Sequence, residues 1–338
     1  MWHEGISVKK IIYNFNLEQI ANSGQCFRMK ALNLNHVKKF CDMISINVDL
    51  SNTNIYTIPA FGRILVVLQR GAECFFSCNE SEWNEYWNEY FDMGTDYAGL
   101  GDVISKSGNE HLIEAFHRGA GIRILKQDLW EMIITFLISQ NNNISRIKTS
   151  VNLLCMKCGI VPEYRETDIA MNDYNKFKMN EEYEAEDILV QYIYEAFWDN
   201  AKVRFPDSSL IGYLYAFPSP GDIPPELYND RSFGFGYRNV FLSEMTQLAY
   251  ANPKWIDNLR SMSYENAHEC LIGYKGIGDK VANCICLFGL HLLDSFPVDT
   301  HVRQLLDKYY PDGLDLSMFK GYEGIIQQYL FYYELCNQ

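Results

Sequence analysis

Apolar residues follow two different rhythms along this chain. From residue 1 to about 105 they form short β-like runs, Ile11-Ile12-Tyr13, Asn54 to Thr57, Arg63 to Leu68 and Cys74 to Ser77, separated by glycine and asparagine. After Gly108 the period lengthens to that of helices. Asp128 to Gln140 carries apolar residues at Leu129, Met132, Ile133, Phe136 and Leu137, with Asp128 placed to cap the start. A polar break, Asn141-Asn142-Asn143, precedes a second helical run from Ile144 to Cys158, and Pro206, Pro218, Pro220, Pro224 and Pro225 mark a loop-rich return before a helix near Phe241 to Ala251. The pattern predicts an α+β protein, with an N-terminal antiparallel sheet domain over residues 1–107 and a larger all-helical region over 108–338. Residues 161–205, acidic and tyrosine-rich with helical character near Asp187 to Trp198, read as an insertion in that region. There is no internal repeat.

Composition changes this picture in three ways. A chain of 338 residues that is 48% hydrophobic can bury two or three packed lobes. Its ten cysteines sit largely in apolar runs such as Cys74-Phe75-Phe76 and Cys284-Ile285-Cys286, so they read as buried thiols and not as a disulfide framework. Cys155 and Cys158 form a CxxC pair without partner cysteines at metal-ligand spacing, and core packing is the expectation there; no metal site is assigned. The start, Met1-Trp2-His3-Glu4, has no basic and apolar leader pattern, and no run of eighteen apolar residues occurs. The expectation is an intracellular protein, in cytoplasm or nucleoid in a prokaryote and in the nucleus in a eukaryote, with no membrane contact.

Charge speaks against nucleic acid at first, because phosphate binding gains from cations and the net charge is −14. Its location softens the objection. Residues 161–200 hold eleven acidic side chains against Arg165, Lys176 and Lys178, more than half of the net charge, which leaves the segments discussed below close to neutral.

The most informative stretch is Tyr274-Lys275-Gly276-Ile277-Gly278-Asp279-Lys280-Val281, continuing into Cys284. Gly276 and Gly278 permit a tight hairpin that leaves backbone N–H groups at a helix start able to hold an anion; a plain helix-entry turn is the alternative. Nineteen residues past Lys280 stands Asp299, within Pro297-Val298-Asp299-Thr300-His301. A helix from Asp279 to Leu290 rises roughly 18 Å. Residues 291–298, if extended, span up to about 26 Å, enough to return the chain to the helix start. Lys280 and Asp299 can therefore face one site. Singly, Asp299 is also a good N-cap for a helix Thr300 to Leu306, and a lone lysine is usually a solvated charge. Together they suit amine catalysis: the positive end of a helix dipole favours a neutral, nucleophilic amine, and a carboxylate can stabilise a cationic sugar.

Gly-Ile-Gly-Asp-Lys at 276–280 followed by Pro-Val-Asp at 297–299 resembles the helix-hairpin-helix plus Gly/Pro-Asp (HhH-GPD) signature of base-excision DNA glycosylases. The resemblance implies a bifunctional enzyme that expels a base, forms a lysine Schiff base and cleaves the strand, with Lys280 as nucleophile and Asp299 as its partner. Relatives of endonuclease III add a four-cysteine iron–sulfur site, whereas only Cys336 lies in the last fifty residues here.

Further matches are similar to the 8-oxoguanine DNA glycosylases. In Ser23-Gly24-Gln25-Cys26-Phe27-Arg28, the resemblance gives Gly24 a backbone carbonyl that accepts from N7–H, a proton that guanine lacks; by itself Gly24 is a turn glycine. Gln327 and Phe331, four apart on a predicted helix, would read the base edge and stack on its plane, with Cys284 covering the other side. As bare residues, Phe331 and Cys284 read as core. By the same resemblance Asn141 fills the gap left by the extruded nucleotide, Tyr237 wedges into the stack, and Arg146 and Arg238 read the orphaned cytosine. Gly276, Gly278 and His301 are placed against the DNA backbone. In isolation Asn143 is a helix cap and the arginines are surface charges.

Two features depart from the family. Met29 stands where tryptophan is usual, and the insertion is not part of the common plan. The implied partner is double-stranded DNA containing an oxidised purine, bound by a monomer. No organic cofactor is implied; the resemblance alone suggests a monovalent cation at the hairpin. The competing readings are a glycosylase for another oxidised base and a non-catalytic helix-hairpin-helix module, which would need neither Lys280 nor Asp299.

Overall fold

The computed structural model describes residues 7–43, 47–160 and 215–337, with Glu186, Asp187, Leu189, Val190, Ile193 and Tyr194 between them. The acidic insertion expected near 161–205 lies, apart from those six residues, outside the described residues, as does the 1–4 segment.

The protein is α+β. Among the described residues, strands Val8–Ile11 (β1), Lys30–Ala31 (β2), Thr53–Ala60 (β3), Arg63–Arg70 (β4) and Glu73–Phe76 (β5) form one sheet in the order β1-β5-β4-β3-β2. Every neighbouring pair is antiparallel, and β3 and β4 pair along their whole length from Thr53↔Arg70 to Ala60↔Arg63. The β-like reading of the first 105 residues was incomplete: Leu17–Asn22, Leu34–Met43 and Tyr97–Lys106 are helices, and Glu80 to Tyr90 is helical around a π-turn at Trp83–Trp87. Their starts are set by polar caps. Asn16, Asn79 and Asp96 each accept from a backbone N–H three residues on. Each helix is so short that its buried face, Leu17 with Ile20 or Tyr97 with Leu100 and Ile104, amounts to two or three side chains.

The helical part holds the expected elements, Leu129–Ser139, Ile144–Cys158, Asn239–Ala251, Asp279–Phe288, Thr300–Tyr309 and Glu323–Cys336, the last two running past Leu306 and Phe331, where the expected stretches ended. Glu110–Gly119, Lys254–Arg260 and Tyr264–Ile272 are helices that the periodicity did not single out. Leu129 to Ile138 is buried on every side, so this helix forms the axis of the helical core and has no polar face.

Two hydrophobic clusters meet along a seam. Phe27 and Ile124 belong to the helical cluster, whereas their neighbours Cys26, Met29 and Leu125 belong to the cluster under the sheet. Met29 is only 2% exposed there, so the residue that departs from the family pattern fills sheet-side core. Gln25 ties the seam. Its amide donates to the Arg123 carbonyl and the Ser23 hydroxyl and accepts from Leu125 N–H, while its own carbonyl accepts from the Gln127 side chain, all at 2.8 to 2.9 Å. Arg28, buried beside it, pairs with Glu131 at 3.6 Å and donates to the Tyr215 carbonyl.

Candidate active site

The helices Tyr264–Ile272 and Asp279–Phe288 pack against each other and are joined by the hairpin at 273–278. Gly276 adopts φ +88°, and a Cβ there would stand 2.4 Å from Cγ of Phe241, so conformation and space both demand glycine. Gly278 is the N-cap of the second helix, whose first N–H groups have no partner within the helix. Lys280 is the second residue of that helix. It is half-buried, with its Nζ 5.4 Å from the ring centroid of Phe136 on the axial helix.

Leaving this helix, the chain does not run extended as the distance argument assumed. Leu292 N–H bonds the Cys286 carbonyl at 2.9 Å and Ser295 N–H the Leu292 carbonyl at 3.0 Å, so the return is a folded turn. It still brings Asp299 back to the helix start. Asp299 caps Thr300–Tyr309, its Oδ1 accepting from Val302 N–H at 2.9 Å, and it also lines one cleft with Lys280. The two readings of Asp299 are compatible: the cap bond fixes the carboxylate's position at the cleft wall.

The cleft has a volume of about 1040 Å³ and is lined also by Gly24, Asn141, His301 and Phe331. A smaller recess of about 50 Å³ shares Gly24, Lys280, Asp299 and Phe331 with it and adds Cys284 and Gln327. Burial raises the Cys284 thiol above its ordinary pKa, Lys280 opposes that shift and Asp299 reinforces it, so all three lie within electrostatic reach of one another. Gln327 is 5% exposed, and its Oε1 is buried with no hydrogen-bond partner among the described residues. Such an acceptor is costly unless something with an N–H enters. Gly24, at φ +80°, would place a Cβ 2.9 Å from Cε1 of Phe331, so the aromatic ring sits directly over the glycine. An amine, a carboxylate and an unsatisfied amide acceptor thus converge beside a flat aromatic face. That set can attack an electrophilic carbon, stabilise a developing cation and hold a planar donor.

Of the remaining sequence candidates, Asn141 and His301 line the cleft. Asn141, at φ +45°, donates its amide to the Tyr237 hydroxyl at 3.1 Å, and Tyr237 is 52% exposed. Asn143 caps the Ile144–Cys158 helix, and Arg146 stands exposed in its first turn. Arg238 differs from the expectation of a surface charge. It is 7% exposed, with Nε donating to the Gln140 carbonyl at 2.7 Å, Nη1 to Phe235 at 3.1 Å and Nη2 to Asn141 at 3.0 Å. In this arrangement its guanidinium supports the 140–141 backbone.

Sequence reasoning missed Phe136 and Gln328, which both line the recess. Phe136 lies in a largely apolar run and carries no distinguishing signal. Gln328 has one: two glutamines in succession inside Ile325-Ile326-Gln327-Gln328-Tyr329-Leu330, all buried, are out of place unless their amides are used.

A family model described as "8-oxoguanine DNA glycosylase, N-terminal domain" matches residues 7–133. The "N-glycosylase/DNA lyase" of Saccharomyces cerevisiae is 32% identical over 201 residues, covering 56% of this chain and 42% of that protein. The "N-glycosylase/DNA lyase OGG1" of Arabidopsis thaliana is 28% identical over 238 residues, covering 64% of this chain and 53% of that protein. The matched part of the chain thus spans about half the length of these curated relatives. Among solved structures, the Clostridium acetobutylicum 8-oxoguanine glycosylase/lyase, in complex with double-stranded DNA containing cytosine opposite 8-oxoguanine, is similar with a TM-score of 0.71 at 25% identity, over 99% of both chains. The family model matches residues 7–133 and the likeness of fold runs over 99% of the chain, so this chain is similar to the 8-oxoguanine DNA glycosylases, in sequence over its first part and in fold throughout.

Proposed function

We propose that this protein excises 8-oxoguanine from double-stranded DNA, preferentially opposite cytosine, and then cleaves the strand as an AP lyase, acting as a monomer in the compartment that holds the DNA. The observation that carries the reading is that Lys280 and Asp299 line the same recess as Gly24, Cys284, Gln327 and Phe331. The relatives' names supply the reaction class, and the C. acetobutylicum structure supplies the DNA.

In this reading the damaged base leaves the stack and enters the recess between Phe331 and Cys284. Its N–H edge donates to the buried Gln327 Oε1, and N7–H donates to the Gly24 carbonyl; guanine would present a lone pair to that carbonyl. The neutral Lys280 amine attacks C1′ as the C1′–N9 bond breaks, and the base departs with a proton. Asp299 stabilises the positive charge that develops on the sugar. Ring opening gives a Schiff base between Nζ and C1′. Loss of a C2′ proton then drives elimination of the 3′ phosphate, and water releases the enzyme. Asn141 and Tyr237 occupy the gap, and Arg146 faces the orphaned base.

Incubating the protein with duplexes that differ only in the lesion tests the assignment. Release of free 8-oxoguanine from an 8-oxoguanine:cytosine duplex, with none from oxidised pyrimidines, is the expected result. Release of an oxidised pyrimidine in preference, or of no base at all, contradicts it. Arg146→Ala should flatten the preference among the four opposing bases; unchanged ratios would remove Arg146 from that role.

A further inference from the structure

The recess is read from two elements far apart in sequence, the loop carrying Gly24 and the helix carrying Gln327. One hydrogen bond joins them. Gln328 is 1% exposed, and its Nε2 donates to the Ser23 carbonyl at 2.8 Å across 305 residues of chain. That carbonyl belongs to the peptide immediately before Gly24. The residue after Gly24 is held as well, because the Gln25 carbonyl accepts from the Gln127 side chain at 2.8 Å and the Gln25 side-chain amide is anchored on three sides. Gly24 itself, at φ +80° and without a Cβ, has the widest backbone freedom of any residue type. Left unpinned, its carbonyl could swing. Gln328 Oε1 meanwhile is buried without a hydrogen-bond partner among the described residues, so the side chain is not placed there for its own satisfaction.

We infer that Gln328 is a specificity-determining positioning residue: its amide fixes the Ser23–Gly24 peptide to the helix that carries Gln327, and so aims the Gly24 carbonyl at the base. Gln328 acts through Gly24, and it does not touch the sugar at which the bond is broken. This inference rests on the proposed excision of 8-oxoguanine. It predicts that base reading and strand chemistry separate in Gln328 variants, because an abasic site has no base to read.

The test compares wild type, Gln328→Met and Gln328→Glu under single-turnover conditions, on an 8-oxoguanine:cytosine duplex and on the same duplex with a preformed abasic site. Gln328→Met keeps the volume and removes the donor; its excision rate should fall about tenfold or more while abasic-site cleavage stays within about twofold of wild type. Gln328→Glu carries a buried carboxyl that can donate to the Ser23 carbonyl only when protonated. Its excision rate relative to wild type should therefore recover as pH falls and drop as pH rises. A Gln328→Met enzyme that excises normally overturns the inference. So does a parallel loss of both activities, or a Gln328→Glu ratio that ignores pH, since these mark a mere packing role. Should Gln328→Met fail to fold, the pH dependence of Gln328→Glu decides alone. Failure of the wild type to excise is a different result, which defeats the function proposed above and this inference with it.

Discussion

Single residues in this protein are held in states that stability alone does not favour. Gln327 buries an acceptor with no partner among the described residues, at a cost of about 1–3 kcal/mol. Gln327→Leu should therefore raise the unfolding free energy by about 1 kcal/mol in denaturant titration while lowering 8-oxoguanine excision at least tenfold; equal or lower stability would contradict the assignment of a functional orphan. Glu131, buried beside Arg28, is pushed from 4.5 to about 7, chiefly by desolvation, with Arg28 opposing the shift. Between those values the folded state holds a proton that the unfolded state has lost. Stability should thus decline as pH rises from about 4.5 to about 7, by roughly 3 kcal/mol, and level off above. Glu131→Gln, a neutral mimic of the protonated carboxyl, should abolish that slope, with a stability nearest to that of wild type below about pH 4.5. At this scale the sequence spoke clearly where a residue's chemistry depends on spacing. Lys280 and Asp299 were legible because helix rise and chain reach bring them together. Arg238 was not, since nothing local shows that its guanidinium is consumed by the carbonyls of Phe235, Gln140 and Asn141.

Elements turn those residues into a site. The hairpin at 273–278 needs Gly276 for its backbone angle and for the place of Phe241. Gly276→Ala should cost about 2 kcal/mol or more and weaken binding to an undamaged duplex, because the helix start that carries Lys280 shifts. Thermal unfolding with fluorescence anisotropy on a G:C duplex checks both; a variant with wild-type stability would contradict the account of this hairpin. The long helices were legible because ten or more residues show a period, and because Asp128, Asn143 and Asp299 announce their starts. The helices Leu17–Asn22 and Tyr97–Lys106 were hidden, one for its length and the other in a region of β-like runs. The return from Phe288 to Asp299 was right in its destination and wrong in its path: a folded turn spans a gap for which an extended strand was assumed.

For the whole molecule, the puzzle is an acidic protein for which DNA is the proposed partner. A net charge of −14 disfavours neutralisation of many phosphates, so the proposal calls for few phosphate contacts, at the hairpin and the His301 end of one helix. The logarithm of the binding constant should fall with the logarithm of salt concentration with a slope of about −3, some three phosphates' worth. A slope near −8 would contradict contact at so few phosphates. The fold class was legible from the change of apolar period near residue 108. The seam was not: alternate residues of the 23–29 and 121–127 segments point into different cores, and only their packing shows it. The central claim, that one lysine amine attacks the sugar beside one carboxylate, is tested most directly by borohydride trapping on an 8-oxoguanine:cytosine duplex. Wild type should give a covalent protein–DNA adduct and Lys280→Ala none. An adduct of equal yield from Lys280→Ala, or none from wild type that excises the base, would contradict the account.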